Sequence, residues 1–247
     1  PLLPWGPPDL RRTGGLLAVP AALGGLAALG AAAAGLRRAG VLLVGALAVF
    51  AAAATVVEMG RPWAGRGALR MIAVRLRSGG YVAHLGMLVM LVGITASSAF
   101  TTQAEVALRP GEWARLDRYV VRYDAVRAMQ RGDLTVTEAA LTASDGRREM
   151  RLAPRHLYHR RRDATTAEVA IRSSWRDDLY VVLIGLAEDG RATLRIVVSP
   201  LVAWLWAGAA MLIAGAAWAA LPAAAGRRAS AGAPDEAISA VRPEAVP

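Results

Sequence analysis

The chain has 247 residues, 55% of them hydrophobic, and a mean hydropathy of +0.36. This composition is too apolar for an ordinary soluble protein and indicates a membrane protein that carries one soluble insert. The net charge of +10 comes from arginine, and many arginines flank apolar runs as membrane topology requires, so we exclude nucleic acid as a partner. The absence of cysteine excludes disulfides and thiolate metal ligands, so redox work would need a cofactor.

Four uncharged runs are long enough to cross a bilayer as helices. They occupy residues 14–36, 39–57, 80–100 and 199–221. The first three runs form a predicted membrane region over residues 1–100. Arginines are densest in the loop 58–78, so we expect that loop on the cytoplasmic side. The segment between the third and fourth runs is then exported, and residues 222–247, rich in Ala, Pro, Gly and Ser, are predicted to be a disordered cytoplasmic tail.

Residues 101–198 alternate apolar and polar side chains in short runs, which is typical of β-strands. The Asp-Gly pairs at Asp145-Gly146 and Asp189-Gly190 are typical of tight hairpin turns. We therefore expect roughly seven strands in a small antiparallel sandwich or open barrel. The predicted fold class is a polytopic α-helical membrane protein of four transmembrane helices with an inserted antiparallel β domain.

His84 is the single histidine in any predicted span and lies about one turn inside its start. An ionisable group at that depth needs a partner, so the functional interpretation is a proton-relay group or a metal or haem ligand. The alternative is a histidine hydrogen-bonded to a neighbouring helix, and the residues alone favour that alternative.

Helical spacing gives the span of His84 two distinct faces. An apolar set that would suit a flat ligand lies on the side of the histidine: Met87, Leu88, Leu91 and Thr95. Small residues that would let another helix approach closely lie on the other side: Gly86, Gly93 and Ser97. Both faces are therefore predicted to be in contact with other groups.

His156 and His159 lie in the insert beside Arg160, Arg161 and Arg162. No carboxylate or thiolate is close enough to complete a metal site, and adjacent cations disfavour a metal, so we expect a solvated loop or a contact with an acidic partner. The chain shows no Ser-His-Asp order, no Walker loop and no paired-carboxylate signature.

Several motifs together resemble a known family. They are PLLPW, RLRSGGYVAHLGMLVMLVGITASSAF, LAPRHLY, TTAEVAIR, DDLYVVL and LRIVVSPLVAWLWAGAAMLIAG. Over residues 1–221 the chain is similar to the C-terminal part of CcmF, the large membrane subunit of the cytochrome c haem lyase.

The resemblance implies that His84 is an axial ligand of a haem b, because the GGYVAHLG motif carries that ligand in the family. Arg75 and Arg77 would contact its propionates, and the second axial ligand would come from outside this chain. The haem b would help to keep the delivered haem reduced during its covalent attachment to apocytochrome c.

The implied partners are the haem chaperone CcmE, a CcmH-type subunit, apocytochrome c, and the rest of the same protein or its N-terminal partner subunit. The implied location is the bacterial inner membrane, with the β domain on the periplasmic side. The family's tryptophan-rich WWD segment and other haem-binding histidines are not in this sequence. We therefore expect a truncated or split-gene portion that lacks the catalytic haem-handling segment.

Two other functions stay open. The chain would be a non-catalytic membrane adaptor if its exported β domain docks maturation partners and His84 only bonds between helices. A transporter subunit is a weaker alternative, because the spans lack the acidic residues and unwound segments that ion coupling usually needs.

Overall fold

The computed structural model describes residues 10–59 and 67–220, with side chains described over 14–59 and 78–220. Within these residues four helices are long and apolar enough to cross a membrane. They are α1 (Leu10–Ala33), α2 (Ala39–Met59), α3 (Gly67–Phe100) and α4 (Val202–Ala220). The tail predicted over 222–247 lies outside the described residues.

Helices α1 and α2 form an antiparallel hairpin. Gly35 has a positive φ of 96° and Leu36 N–H donates to the carbonyl of Ala31 at 3.0 Å, which is the hydrogen bond of a Schellman C-cap. Helix α1 therefore ends at Ala33, although the apolar run continues to Leu36. Farther along the hairpin, a Cβ added to Gly24 would lie 2.7 Å from the Ala46 carbonyl oxygen, so the two backbones meet closely.

Helices α3 and α4 pack through glycines spaced seven residues apart. Gly79 and Gly86 of α3 face Gly215 and Gly208 of α4, and Gly93 faces the first turn of α4 at Leu205. A Cβ added to Gly86 would lie 2.7 Å from the Gly208 carbonyl oxygen, and one added to Gly79 would lie 2.6 Å from that of Gly215. Because any side chain there would collide with backbone, these glycines allow the close approach that drives helix association in lipid.

Ten antiparallel strands form the β domain between α3 and α4. They are β1 (Thr102–Leu108), β2 (Trp113–Leu116), β3 (Tyr119–Arg131), β4 (Leu134–Ser144), β5 (Glu149–Leu152), β6 (Arg155–His159), β7 (Ala164–Glu168), β8 (Ala170–Ser173), β9 (Asp177–Leu186) and β10 (Ala192–Pro200).

The strands form two sheets packed as a sandwich. One sheet has the order β1-β10-β9-β8, and the other has the order β2-β3-β4-β6-β7 with β5 beside β4. The predicted fold class is confirmed. The strand count of seven was wrong, because β2, β5 and β8 have four residues each and β6 and β7 five, too few to show a clear alternation.

The sandwich core follows the alternation that the sequence shows. On β3, Tyr119, Val121 and Tyr123 point inward and are at most 2% exposed, whereas Arg122 between them is exposed. The two Asp-Gly turns have the expected conformation, since Gly146 and Gly190 have φ values of 81° and 82°.

One end of the sandwich is fastened to the membrane helices. Strand β1 follows α3 directly, β10 leads into α4, and the two strands pair from Thr102 opposite Val198 onward. The turn before β9 is also held, because Leu201 N–H donates to the Arg176 carbonyl and Trp204 Nε1 donates to the Trp175 carbonyl. We call this the membrane-facing end of the sandwich.

Candidate functional site

His84 lies on α3, in the second turn of the segment Ser78–Phe100, and is half-buried. Its ring faces α2, where Nδ1 lies 3.1 Å from Thr55 Oγ1. Thr55 is 29 residues away in sequence and only 1% exposed. The antiparallel packing of α2 and α3 therefore joins two polar side chains inside otherwise apolar helices.

Thr55 fixes which ring nitrogen of His84 carries the proton. The Thr55 hydroxyl donates its one hydrogen to the Ala51 carbonyl at 2.7 Å, so its oxygen can only accept from His84. Neutral His84 then carries its proton on Nδ1, and Nε2 keeps a lone pair. This is the tautomer that a metal ligand needs, with the other nitrogen held by a hydrogen bond as in most metal-binding histidines.

Two further polar side chains are buried next to this pair in sequence. Glu58, one turn after Thr55 on α2, is 5% exposed, and Tyr81, one turn before His84 on α3, is 7% exposed. Because the helices run antiparallel, Glu58 and Tyr81 lie at a similar level. Sequence reasoning assigned Glu58 to a loop, whereas α2 continues through it to Met59.

The predicted apolar face beside His84 is only partly open. Met87 and Leu91 are 45% and 38% exposed, so they are available to a flat apolar ligand. Leu88 is 8% exposed and is packed inside the protein instead. On the other side of α3, Gly86 and Gly93 pack against α4 as their size indicated.

The remaining predicted residues contribute less. The side chains of Arg75 and Arg77 lie outside the described residues. His156 and His159 belong to strand β6, paired with Thr137 and Leu134, so the predicted loop was wrong there. Within the part of the chain that the structure describes, no cluster of three or more His, Cys, Asp or Glu side chains could hold a metal ion.

These features define a class: a multi-pass membrane protein with an extramembrane β sandwich inserted between its last two described helices and a histidine bonded between two helices. Residues 99–200 match the family model described as the CcmF C-terminal beta-sandwich. The chain is therefore similar to the C-terminal part of CcmF-type cytochrome c biogenesis proteins, and the predicted resemblance is confirmed.

Individual relatives agree with this assignment. The chain is 32% identical to the cytochrome c-type biogenesis protein CycK of Rhizobium meliloti over 87% of its length and 33% of the relative. It is 30% identical to CcmF of Pseudomonas aeruginosa over 57% of its length and 22% of the relative. The chain thus spans about a third or less of the length of these curated relatives.

A solved structure shows the same fold. It is described as cytochrome c heme lyase CcmF and is similar over 90% of this chain and 37% of its own length, with a TM-score of 0.72 and 23% sequence identity. The arrangement of helices and sandwich is therefore shared with that protein.

Proposed function

We propose that this chain is the haem b-ligating part of a cytochrome c haem lyase, with His84 as one axial ligand. The observation that carries the proposal is the Thr55 hydrogen bond, because it holds His84 as the tautomer whose Nε2 binds iron. The imidazole therefore needs no loss of a proton from Nε2 before it binds a metal.

The residues around His84 fit a haem. The side chains of Met87 and Leu91 are apolar and open next to the histidine, as a porphyrin face requires. The second axial ligand would come from outside this chain, and Arg75 and Arg77 would contact propionates. A haem with two imidazole ligands has no open position on iron and supplies electron transfer. The protein's own part is to hold, orient and shield the ligand.

The proposed partners follow from the same family. They are the haem chaperone CcmE, a CcmH-type subunit, apocytochrome c and the rest of the lyase. We propose that the β sandwich lies on the outer, periplasmic side, since the arginine-rich loop 58–78 belongs inside. In support, Arg38 of the α1–α2 turn stacks 5.5 Å from the ring centroid of Phe100, beside the sandwich, which leaves the C-terminal end of α2 on the opposite side of the membrane.

One alternative also has an observation in its favour. The hydrogen bond between His84 and Thr55 is what an interhelical packing histidine would make in a non-catalytic adaptor. In that case the β sandwich would dock maturation partners and His84 would bind no haem. A bound pigment distinguishes the two functions.

The test is His84→Ala, made in this chain co-expressed with the N-terminal segment of a CcmF-type protein. We expect the reduced b-type absorption band of the purified protein to disappear, since removing an axial ligand abolishes six-coordination. His156→Ala, in strand β6 of the sandwich, is the matched control and should keep the band. An unchanged band in His84→Ala at normal protein level would refute the ligand assignment.

A further inference from the structure

Four arginines line one cleft at the membrane-facing end of the sandwich. The cleft has a volume of about 290 Å³, and Arg118, Arg147, Arg148 and Arg172 contribute to its walls together with Asp145 and Ser174. Arg147, Arg148 and Arg172 are exposed. The cluster plays no part in the proposed haem site, which lies within the helices.

The strand register places the cleft beside the membrane. Arg118 lies in the β2–β3 turn, and Arg147 and Arg148 lie in the β4–β5 turn. These two turns are neighbours because Val120 pairs with Ser144. Across the sandwich, Arg118 Nη2 contacts Asp177 Oδ1 at 2.5 Å, at the end of β9 that pairs with Pro200. Both sheets therefore present these turns toward the start of α4.

Tryptophans indicate how deep the membrane-facing end of the sandwich lies in the membrane. Trp175, in the turn between β8 and β9, is 73% exposed, and its carbonyl accepts a hydrogen bond from Trp204 in the first turn of α4. Trp206 is 70% exposed on the same helix. Tryptophan is enriched at the headgroup level of membranes, so the Trp175 turn and the cleft next to it lie in the headgroup layer.

The positive charge of the cleft is largely uncompensated. Arg118 is paired with Asp177 and Tyr119. The backbone N–H groups of Arg148 and Arg147 donate to the Asp145 carboxylate and lower its pKa, so Asp145 stays ionised and offsets one of the remaining positive charges. Among the described residues, Arg147, Arg148 and Arg172 form no ion pair.

We propose that this cleft binds the phosphate of an anionic lipid headgroup, with Arg147, Arg148 and Arg172 as its ligands. Guanidinium groups match phosphate oxygens with paired N–H donors, and basic side chains next to a membrane attract anionic lipids. Bound lipid would tie the sandwich to the bilayer and fix its orientation over the helices. This inference does not depend on the haem assignment.

The test places the full chain in nanodiscs that contain phosphatidylcholine and phosphatidylglycerol, and counts the lipids retained by native mass spectrometry. The wild type should retain phosphatidylglycerol selectively. The variant Arg147→Gln/Arg148→Gln, and separately Arg172→Gln, should lower that occupancy by about tenfold, as expected for the loss of a charge-assisted hydrogen bond.

The matched control is Arg160→Gln/Arg162→Gln, which removes two arginines from the turn after β6, at the opposite end of the sandwich. It should retain lipid as the wild type does. Equal loss in the control would overturn the proposal, and so would unchanged retention in both cleft variants with normal circular dichroism spectra. Displacement of the lipid by inorganic phosphate at similar concentration would show a soluble phosphate site and overturn the lipid assignment.

Discussion

At the residue scale, Thr55 determines the chemistry available to His84. Its hydroxyl hydrogen is already bonded to the Ala51 carbonyl, so its oxygen accepts the Nδ1 proton of the histidine. Thr55 is thus a positioning residue that acts through His84 and does not contact the proposed haem. Such outer partners typically affect metal affinity nearly as much as the ligands themselves.

Thr55→Val keeps the shape of the side chain and removes only the hydroxyl. We expect it to weaken haem retention about 10- to 100-fold while the helices stay folded. In the isolated chain without haem, the ¹⁵N shifts of His84 should change from one dominant tautomer to a mixture, a result that a purely structural role would not give. Ser97→Ala removes a hydroxyl from the opposite side of the same helix, where Ser97 Oγ donates to the Ile94 carbonyl, and is the control. A single unchanged tautomer in Thr55→Val would contradict the positioning role.

The sequence identifies His84 but not Thr55. A lone histidine in an uncharged run is visible by inspection, because burying an ionisable group in a bilayer requires a reason. Thr55 also stands out weakly, as a hydroxyl near the end of an Ala-rich run with Glu58 one turn later. Its link to His84 depends on the register of α2 against α3, which a single sequence does not contain.

At the element scale, α3 and α4 depend on the spacing of their glycines. Gly86 and Gly93 were predicted as a packing face, and on α4 Gly208 and Gly215, which face Gly86 and Gly79, repeat the seven-residue spacing. Gly79 belongs to the same contact surface. It lies at the start of the apolar run, where the sequence does not show which side of the helix meets a partner. A contact surface on one helix is therefore predictable, whereas its full length depends on the partner helix.

Two adjacent glycines on α3 allow a matched test of the contact surface between α3 and α4. A Cβ at Gly79 would lie 2.8 Å from the Ala219 backbone nitrogen, whereas one at Gly80 would meet nothing within 4 Å. We expect Gly79→Ala to destabilise the helix pair by about 1–3 kcal/mol through overpacking. Gly80→Ala should be neutral or stabilise by up to about 1 kcal/mol, because alanine is the better helix former.

Denaturation with sodium dodecyl sulfate in detergent micelles, followed by circular dichroism, measures both variants against the wild type. Equal stability of Gly79→Ala and Gly80→Ala would show that the α3–α4 contact is looser than the glycine geometry indicates.

At the scale of the whole molecule, the chain is divided between two solvents. The cluster of buried apolar residues lies entirely in the sandwich, with Leu179, Leu183, Leu194 and Ile196 all fully buried. The helices instead expose large apolar side chains such as Leu26 and Leu29, which are 64% and 69% exposed and suited to lipid. The first and last strands, β1 and β10, are neighbours, so the chain enters and leaves the sandwich at the same place.

A fragment of residues 101–200 should therefore fold in water without the helices, and its acid stability provides a specific test. Asp124 Oδ2 accepts from the Thr142 hydroxyl at 2.6 Å, and Oδ1 accepts from Arg122 Nε at 2.7 Å. Burial alone would raise the pKa of Asp124, but these hydrogen bonds and the Arg122 charge outweigh it and lower the pKa below 3.8.

Because the folded pKa of Asp124 is lowered, its contribution to stability is present above the ordinary aspartate pKa and is lost as the pH falls through the folded value. Urea unfolding of the fragment from neutral pH to about pH 2 should show this loss. Asp124→Asn lacks the charge, so its stability should be below that of the wild type at neutral pH and approach it in acid. A constant difference between the two proteins at every pH would show that the Asp124 charge contributes nothing, and an unfolded wild-type fragment would show that the sandwich needs its helices.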